Sequence, residues 1–307
     1  MNKKLIKAIF LLYLFFFSQV IAIENKILFK VNNQIITSID VLNEINYLSF
    51  INNDFQYLDK NKIFEVSKNS LIREKIKEIN LKQKFKKLKL EKEYLSELIE
   101  DYSERNGFEN INDFNDGLKK NNIKIKVVEK KLTIQFLWNQ LIIDKFLKNV
   151  RIDEIDIKKK LKDRKKQKEF LLSEILFNLE NKDEIAEKIK VINQTILNES
   201  FSKAALIHSI SDTANSGGKL DWINEASLNI KIKSALDNLT VGDHTKPILL
   251  PGAYLILQIN DIKEVEKKID YKKEFEKIKR AKTNEQLNQM SNLYFNKIKK
   301  DVVINEL

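Results

Sequence analysis

Residue types that often perform chemistry at neutral pH are scarce in this sequence. Among 307 residues there are two histidines, His208 and His244, and no cysteine. This set excludes disulfides and argues against a zinc site. No serine stands in a nucleophile-elbow motif, and the pair Gly217-Gly218 lacks the spacing of a phosphate-binding loop. We therefore expect neither a metal nor a cofactor.

Two short motifs stand out in a region of distinct composition. Residues 217–252 hold four of the six glycines and both prolines. In the first motif Gly217-Gly218 is followed by Trp222, and in the second Gly242-Asp243 is followed by Pro247. Strands are predicted at 170–176 and 254–259, and helices at 183–198 and 201–208. This order of elements, with few and short strands, is typical of a small α+β domain.

The stretch 170–263 resembles a parvulin-type peptidyl-prolyl isomerase domain over nearly its whole length. The resemblance rests on the two glycine motifs taken together and on four further matching segments. These segments are 171–176, 201–205, 208–212 and 252–257. The activity that the resemblance implies is rotation about X-Pro peptide bonds, which amide resonance slows through a barrier of about 18–20 kcal/mol.

The resemblance also implies a polar cluster, which in parvulins includes two histidines. Carried over by position, the first histidine falls on Glu174 and the second on Tyr254. The position that holds Cys or Asp in the family falls on Ser211, which is followed by Asp212. These four residues are the candidate catalytic set, and both imidazoles of the family are replaced in it.

The family's apolar pocket for the proline ring falls on Leu220, Leu228 and Ile232, which are the candidate substrate-binding residues. We therefore expect the pocket to be kept while the polar cluster is altered. Two interpretations of Glu174 stay open: an acid of raised pKa bonded to Tyr254, or a structural replacement in a domain that only binds. We expect isomerase activity to be weak.

The segments on both sides of this domain resemble the SurA-type chaperones. Residues 27–36 read as a β-hairpin, Ser38 fits the N-cap of a following helix, and further helices are predicted at 61–90, 94–106, 111–120 and 126–149. A helix at 272–300 and a strand at 302–304 close the chain. In the SurA type the C-terminal segment returns to the N-terminal body. Because an unpaired apolar strand is a liability, we expect residues 302–304 to pair with the strand at 27–31.

The predicted fold class is therefore α+β, with a mainly helical SurA-like N-terminal body completed by the C-terminal helix and strand, plus a small α+β parvulin domain. The predicted domains are a signal peptide at 1–22, a SurA-like helical chaperone domain at 23–167, the parvulin domain at 168–263 and the returning segment at 264–307.

The N-terminus has the order of a secretory signal peptide. Lys3 and Lys4 precede an apolar run, and Val20 and Ala22 provide a small-residue cleavage site before Ile23. The run is short for a membrane span. We predict cleavage, periplasmic localisation and no stable membrane span afterwards, with an uncleaved anchor as the alternative.

The formal net charge of +11 raises the question of whether the protein binds nucleic acid. The lysines are spread along the chain and mixed with acidic residues, as on solvated helix faces, so we expect no nucleic-acid partner. Three functions remain as hypotheses: a chaperone for unfolded exported polypeptides, a fully active prolyl isomerase, and a membrane-anchored folding factor. The resemblance implies outer-membrane β-barrel proteins as the chaperone's clients.

Overall fold

The computed structural model describes residues 25–162, 167–178, 184–265 and 271–307. The predicted signal peptide and its cleavage site lie outside these residues. Within them, no helix combines the length and the apolar character that crossing a membrane requires.

The helical body begins with a β-hairpin and continues through a series of helices. Its elements are β1 (Ile27–Val31), β2 (Gln34–Thr37), α1 (Ser38–Ile51), α2 (Lys60–Lys84), α3 (Lys92–Arg105), α4 (Ile111–Lys120), α5 (Ile125–Phe146) and α6 (Glu154–Lys162).

Two of the boundaries that differ from the sequence-based prediction have a clear physical cause. Thr37, and not Ser38, is the N-cap of α1, because Asp40 completes a capping box with the backbone and side chain of Thr37. Helix α2 ends at Lys84 and not near residue 90. The six residues that follow are not helical, and Phe85, Leu88 and Leu90 pack against the apolar cluster of α5.

The smaller domain is built on a four-stranded antiparallel sheet in the order β4-β3-β6-β5. Its elements are β3 (Gln167–Phe177), α7 (Ile185–Asn198), α8 (Phe201–His208), β4 (Lys219–Asn224), α9 (Ile230–Leu236), β5 (Ile248–Leu250) and β6 (Ala253–Val265). One face of the sheet carries the cluster around Leu172, Leu228 and Leu257. On the other face, Ile175 of β3 shares an apolar cluster with Ile192 of α7 and Phe201 of α8.

The C-terminal segment returns to the helical body. Helix α10 (Tyr271–Lys299) packs beside α5, where the indole of the fully buried Trp138 donates a hydrogen bond to Ser291 at 2.8 Å. Strand β7 (Ile304–Glu306) then pairs antiparallel with β1, giving a sheet in the order β2-β1-β7. The predicted pairing and the predicted fold class are confirmed, with the last strand two residues further along the chain than expected.

The two domains are in contact along one side of α2 and α8. Leu206 of α8 is 5% exposed and belongs to the same buried cluster as Phe55 and Val66 of the body. Lys62 forms an ion pair with Glu199 at 2.7 Å across the same boundary. The small domain therefore shares a hydrophobic cluster with the helical body.

Candidate isomerase site

Glu174 is the centre of the candidate site and lies in the middle of β3. Side chains alternate between the two faces of a strand, so Glu174 shares a face with Leu172 and Leu176. Both of those leucines belong to the apolar cluster that also contains Leu228 and Ile232. Glu174 is thus a carboxyl group on the same sheet face as the predicted proline pocket.

Two hydroxyl groups converge on the carboxylate of Glu174. The Ser211 hydroxyl donates a short hydrogen bond to Oε1, and the Thr213 hydroxyl donates to the same atom at 2.9 Å. Thr213 was missed by the sequence reasoning, although a second hydroxyl two residues after Ser211 was a signal that could have indicated it. The structure thus brings two predicted residues, Glu174 and Ser211, together with one that was not predicted.

The Gly-Gly motif has a steric role next to this carboxyl group. The backbone N–H of Glu174 donates to the carbonyl of Gly218 at 2.8 Å, which joins β3 to the start of β4. Gly218 has φ +76°, and a Cβ there would lie 2.1 Å from the carbonyl oxygen of Glu174. Any other residue would therefore both adopt a left-handed conformation and push the two strands apart.

Burial raises the pKa of Glu174. The hydroxyls of Ser211 and Thr213 oppose this effect, and the nearby carboxylate of Asp212 reinforces it. A carboxyl group in this setting favours its neutral form more than an exposed glutamate does. The sequence-based interpretation of Glu174 as an acid of raised pKa agrees in direction with this geometry.

Asp212 points away from Glu174 and toward the helical body. Its carboxylate accepts hydrogen bonds from the ammonium of Lys77 at 2.7 Å and from the amide of Gln135 at 3.1 Å. Burial opposes ionisation, but the charges of Lys77 and Arg73 outweigh it and lower the pKa of Asp212. Asp212 therefore acts on Glu174 as a neighbouring negative charge and not as a hydrogen-bond partner.

Tyr254 lies on the opposite face of the sheet from Glu174. Its ring stacks on Phe177 at a centroid distance of 5.6 Å and packs against the cluster under α7 and α8. The bond between Glu174 and Tyr254, which belonged to one of the two open interpretations, does not fit this arrangement, because the carboxylate is engaged by Ser211 and Thr213 instead. The physical reason is strand alternation, which places positions 254 and 257 of β6 on different faces, and Leu257 is the residue paired with Glu174.

The three predicted pocket residues lie in one apolar cluster. Leu228 and Ile232 are each 6% exposed, and Leu220 is half-buried against them. The structure thus places the first two in the core of the domain and leaves Leu220 as the most accessible of the three.

Comparison with known proteins identifies the class of this domain. The rotamase family, described as the PPIC-type PPIase domain, matches residues 170–261. These residues are therefore a parvulin-type domain, and the predicted resemblance to SurA-type proteins with one such domain is confirmed.

Particular relatives match different parts of the chain. The chaperone SurA of Pseudomonas aeruginosa is 34% identical over 61 residues, which are 20% of this chain and 15% of that protein. A crystal structure of a PpiC-type peptidyl-prolyl cis-trans isomerase domain is 29% identical and covers 32% of this chain and 93% of its own, with a TM-score of 0.29. A structure of a SurA-like chaperone from Campylobacter jejuni is 19% identical and covers 92% of this chain and 99% of its own, with a TM-score of 0.36.

Proposed function

We propose that this protein is a periplasmic folding chaperone that binds unfolded exported polypeptides, including outer-membrane β-barrel proteins, and that its parvulin domain isomerises prolyl bonds weakly. In this proposal residues 23–167 and 264–307 act as one chaperone body, and residues 168–263 act as the isomerase domain. The observation that carries the proposal is the Glu174 site, in which a carboxyl group and two hydroxyls lie beside an apolar cluster.

The expected weakness of catalysis follows from what this site offers a twisted amide. Apolar contacts with Leu220 and its neighbours bind the planar cis and trans forms about as well as the twisted form, and such uniform binding does not accelerate rotation. Preferential stabilisation of the twisted form needs placed polar groups, and removal of one such donor in other enzymes lowers the rate about 10²–10³-fold. Here Ser211 and Thr213 donate to Glu174, so their hydroxyl hydrogens are already engaged.

One observation favours the alternative of a fully active isomerase. A half-buried Glu174 with a raised pKa keeps its proton to higher pH than an ordinary glutamate, and a protonated carboxyl group is a hydrogen-bond donor. Such a donor could replace an imidazole in stabilising the twisted amide.

Two assays on the full chain test the proposal. The first measures whether the protein, at equimolar amounts, keeps a β-barrel protein diluted from urea in solution. The second measures cis–trans isomerisation of a prolyl peptide by the wild type, Glu174→His, Tyr254→His and the double variant. We expect the wild type to hold the client and to isomerise slowly, and Glu174→His to provide most of any gain, because Tyr254 lies on the far face of the sheet.

The results separate the two candidate functions. Wild-type isomerisation as fast as that of an ordinary parvulin, lost in Glu174→Gln, would establish the active isomerase and overturn the claim of weak catalysis. Failure to hold any unfolded client would overturn the chaperone proposal, whatever the isomerisation rate.

A further inference from the structure

One face of α2 presents three polar side chains to the small domain. Ser70, Arg73 and Lys77 are spaced at i, i+3 and i+7 and therefore lie along one side of the helix. Each of them contacts the loop 210–215, which connects α8 to β4 and carries the site hydroxyls. We call Ser70, Arg73 and Lys77 the α2 polar stripe.

Arg73 holds the backbone of this loop. Its Nη1 donates to the carbonyl of Ile210 and, at 2.9 Å, to the carbonyl of Ser211. The guanidinium also contacts the helical body, because it lies 5.7 Å from the ring centroid of Phe295 in α10. Arg73 thus fixes the backbone of the residue whose hydroxyl bonds to Glu174.

Lys77 and Ser70 hold the loop on either side of that point. Lys77 is 5% exposed and donates to Asp212 at 2.7 Å. Ser70 accepts a hydrogen bond from the side-chain amide of Asn215 at 3.0 Å and donates to the buried Glu44 of the body at 2.6 Å. The loop is thus contacted by the body at three successive points.

The position of the loop decides the geometry at Glu174. The two hydroxyls that contact the carboxylate belong to Ser211 and Thr213, which lie in the part of the loop that Arg73 holds at residues 210–211 and Ser70 holds at Asn215. A displacement of the loop backbone would separate the hydroxyls from the carboxylate, since the strand that carries Glu174 is fixed by its neighbours in the sheet.

We propose that Arg73 and Lys77 are positioning residues of the isomerase domain's site, supplied by the chaperone body, which hold the loop 210–215 so that Ser211 and Thr213 remain on Glu174. The helical body thereby completes a site whose other residues all belong to the small domain. The proposal rests on the proposed function only in taking this site as the one that binds prolyl segments.

The test uses the full chain and two independent measurements. Hydrogen exchange reports the order of the loop 209–216, and titration of a fluorescent proline-containing peptide reports binding at the site. The variants are Arg73→Met, which keeps an apolar side chain against Phe295, and Lys77→Met. The matched control is Lys62→Met, which removes the exposed ion pair to Glu199 across the same domain boundary but away from the loop.

We expect exchange of the loop amides to rise about 10- to 100-fold in Arg73→Met and Lys77→Met, the factor that corresponds to one lost hydrogen bond to a charged group. We expect peptide affinity to fall with it, Lys62→Met to behave like the wild type, and Lys77→Arg to restore both measurements. Unchanged loop exchange in Arg73→Met, or an equal rise in Lys62→Met, would overturn the proposal.

Two further outcomes are also decisive. If the amides of β3 and β6 also exchange faster, the variant has lost its fold, and Arg73→Lys then decides. A lysine keeps the charge, but its ammonium ends one bond short of the position of Nη1, which donates to both carbonyls, so loop exchange in Arg73→Lys equal to the wild type counts against the proposal. If the wild type binds no prolyl peptide, the proposed function fails, while the exchange measurement still tests the role of Arg73 and Lys77.

Discussion

The surroundings of Glu174 determine the pKa of its carboxyl group. This residue replaces an imidazole position of the parvulin family with a carboxyl group that is hydrogen-bonded by Ser211 and Thr213 and has a raised pKa. A group whose pKa is higher in the folded than in the unfolded state stabilises the fold fully at pH values below its unfolded pKa. This contribution is lost as pH rises through the folded value.

The first prediction follows from this direction of the stability change with pH. Glu174→Gln keeps an oxygen that can accept from both hydroxyls but cannot ionise. We expect the wild type to lose stability relative to Glu174→Gln as pH rises above about 4.3, the ordinary pKa of glutamate. Urea unfolding of both proteins at pH 4 and pH 8 measures this difference. A gap between the two proteins that stays constant with pH would contradict the raised pKa.

His208 provides a second prediction, which is a loss of stability at acid pH. Burial lowers the pKa of His208 to about 4, and the charges of Lys188 and Lys62 add to this effect. The ring nitrogen lies 3.0 Å from the Thr195 hydroxyl. Below about pH 6.5 the unfolded chain takes up a proton that the folded chain does not, so stability should fall as pH drops toward 4.

The variant His208→Gln should remove this loss while keeping a polar partner for Thr195. The comparison is the unfolding midpoint of both proteins at pH 7 and pH 5, and we expect the wild type alone to lose stability from this group. Parallel pH profiles for the two proteins would show that His208 titrates alike in the folded and unfolded chain.

At the scale of elements, a buried ionic cluster joins three helices of the body. Lys131 of α5 contacts Glu44 of α1 at 2.7 Å and Glu74 of α2 at 3.0 Å. Glu44 is only 2% exposed. The carboxylates outweigh the effect of burial and raise the pKa of Lys131. The cluster therefore depends on the presence of every member.

The third prediction is that Lys131→Met destabilises the protein by about 3–5 kcal/mol, because it leaves Glu44 charged and buried without its counter-ion. The matched control is Lys119→Met, which removes an exposed ion pair with Asp116 within α4 and should leave the unfolding midpoint almost unchanged. Denaturant unfolding measures both. Equal effects of the two variants would show that the Lys131 cluster is not buried as described.

The fourth prediction concerns β7. Deleting residues 301–307 removes the pairing with β1 and exposes the edge of that strand. We expect a loss of about 2 kcal/mol or more in the helical body, on the basis of several net backbone hydrogen bonds. Hydrogen exchange should rise in β1 and α2 more than in β3 and β6. Greater loss in the isomerase domain would show that β7 supports that domain instead.

These elements also show what a sequence can and cannot predict here. The β1–β2 hairpin and the order of the small domain follow from local periodicity and turn residues. The return of the last strand follows from the resemblance to the SurA type and from the liability of an unpaired apolar strand. The end of α2 at Lys84 was missed, because apolar residues beyond it are buried by α5 in a conformation that their helical propensity does not indicate. Tertiary packing decides such a boundary.

The same distinction applies to the site. Glu174 and Ser211 were found through a resemblance of motifs close in the chain. Arg73 and Lys77 were not found, because polar residues along one side of a long helix, such as the α2 polar stripe, are typical of a solvated face. The docking of the two domains brings Arg73 and Lys77 onto loop residues 138 and 135 positions away in the chain, which local sequence does not indicate.

At the scale of the whole molecule, Leu206 connects the two domains. It belongs to α8 of the isomerase domain, yet it is buried in the cluster of the helical body with Phe55 and Val66. By contrast, Ile192 of α7 is fully buried within the isomerase domain itself. These two residues therefore allow docking and domain folding to be disturbed separately.

The fifth prediction is that Leu206→Ala weakens the docking of the domains, whereas Ile192→Ala weakens the isomerase domain. A buried Leu→Ala or Ile→Ala change costs about 2–5 kcal/mol. In Leu206→Ala we expect faster exchange on α2 and in loop 209–216 with β3 and β6 unchanged, and the reverse in Ile192→Ala. Identical exchange patterns in both variants would show that the two domains behave as one cooperative unit.

The pairing of β1 with β7 affects the order in which the two domains can fold. The strands of the isomerase domain all lie within residues 167–265, so that domain can fold as soon as its own segment has been made. Strand β1 is synthesised before that domain and its partner β7 after it, and the paired residues Lys30 and Asn305 lie 275 positions apart. At about 5–20 residues per second, roughly 14–55 s separate the synthesis of the two strands. Until β7 is available to pair, β1 carries an open strand edge.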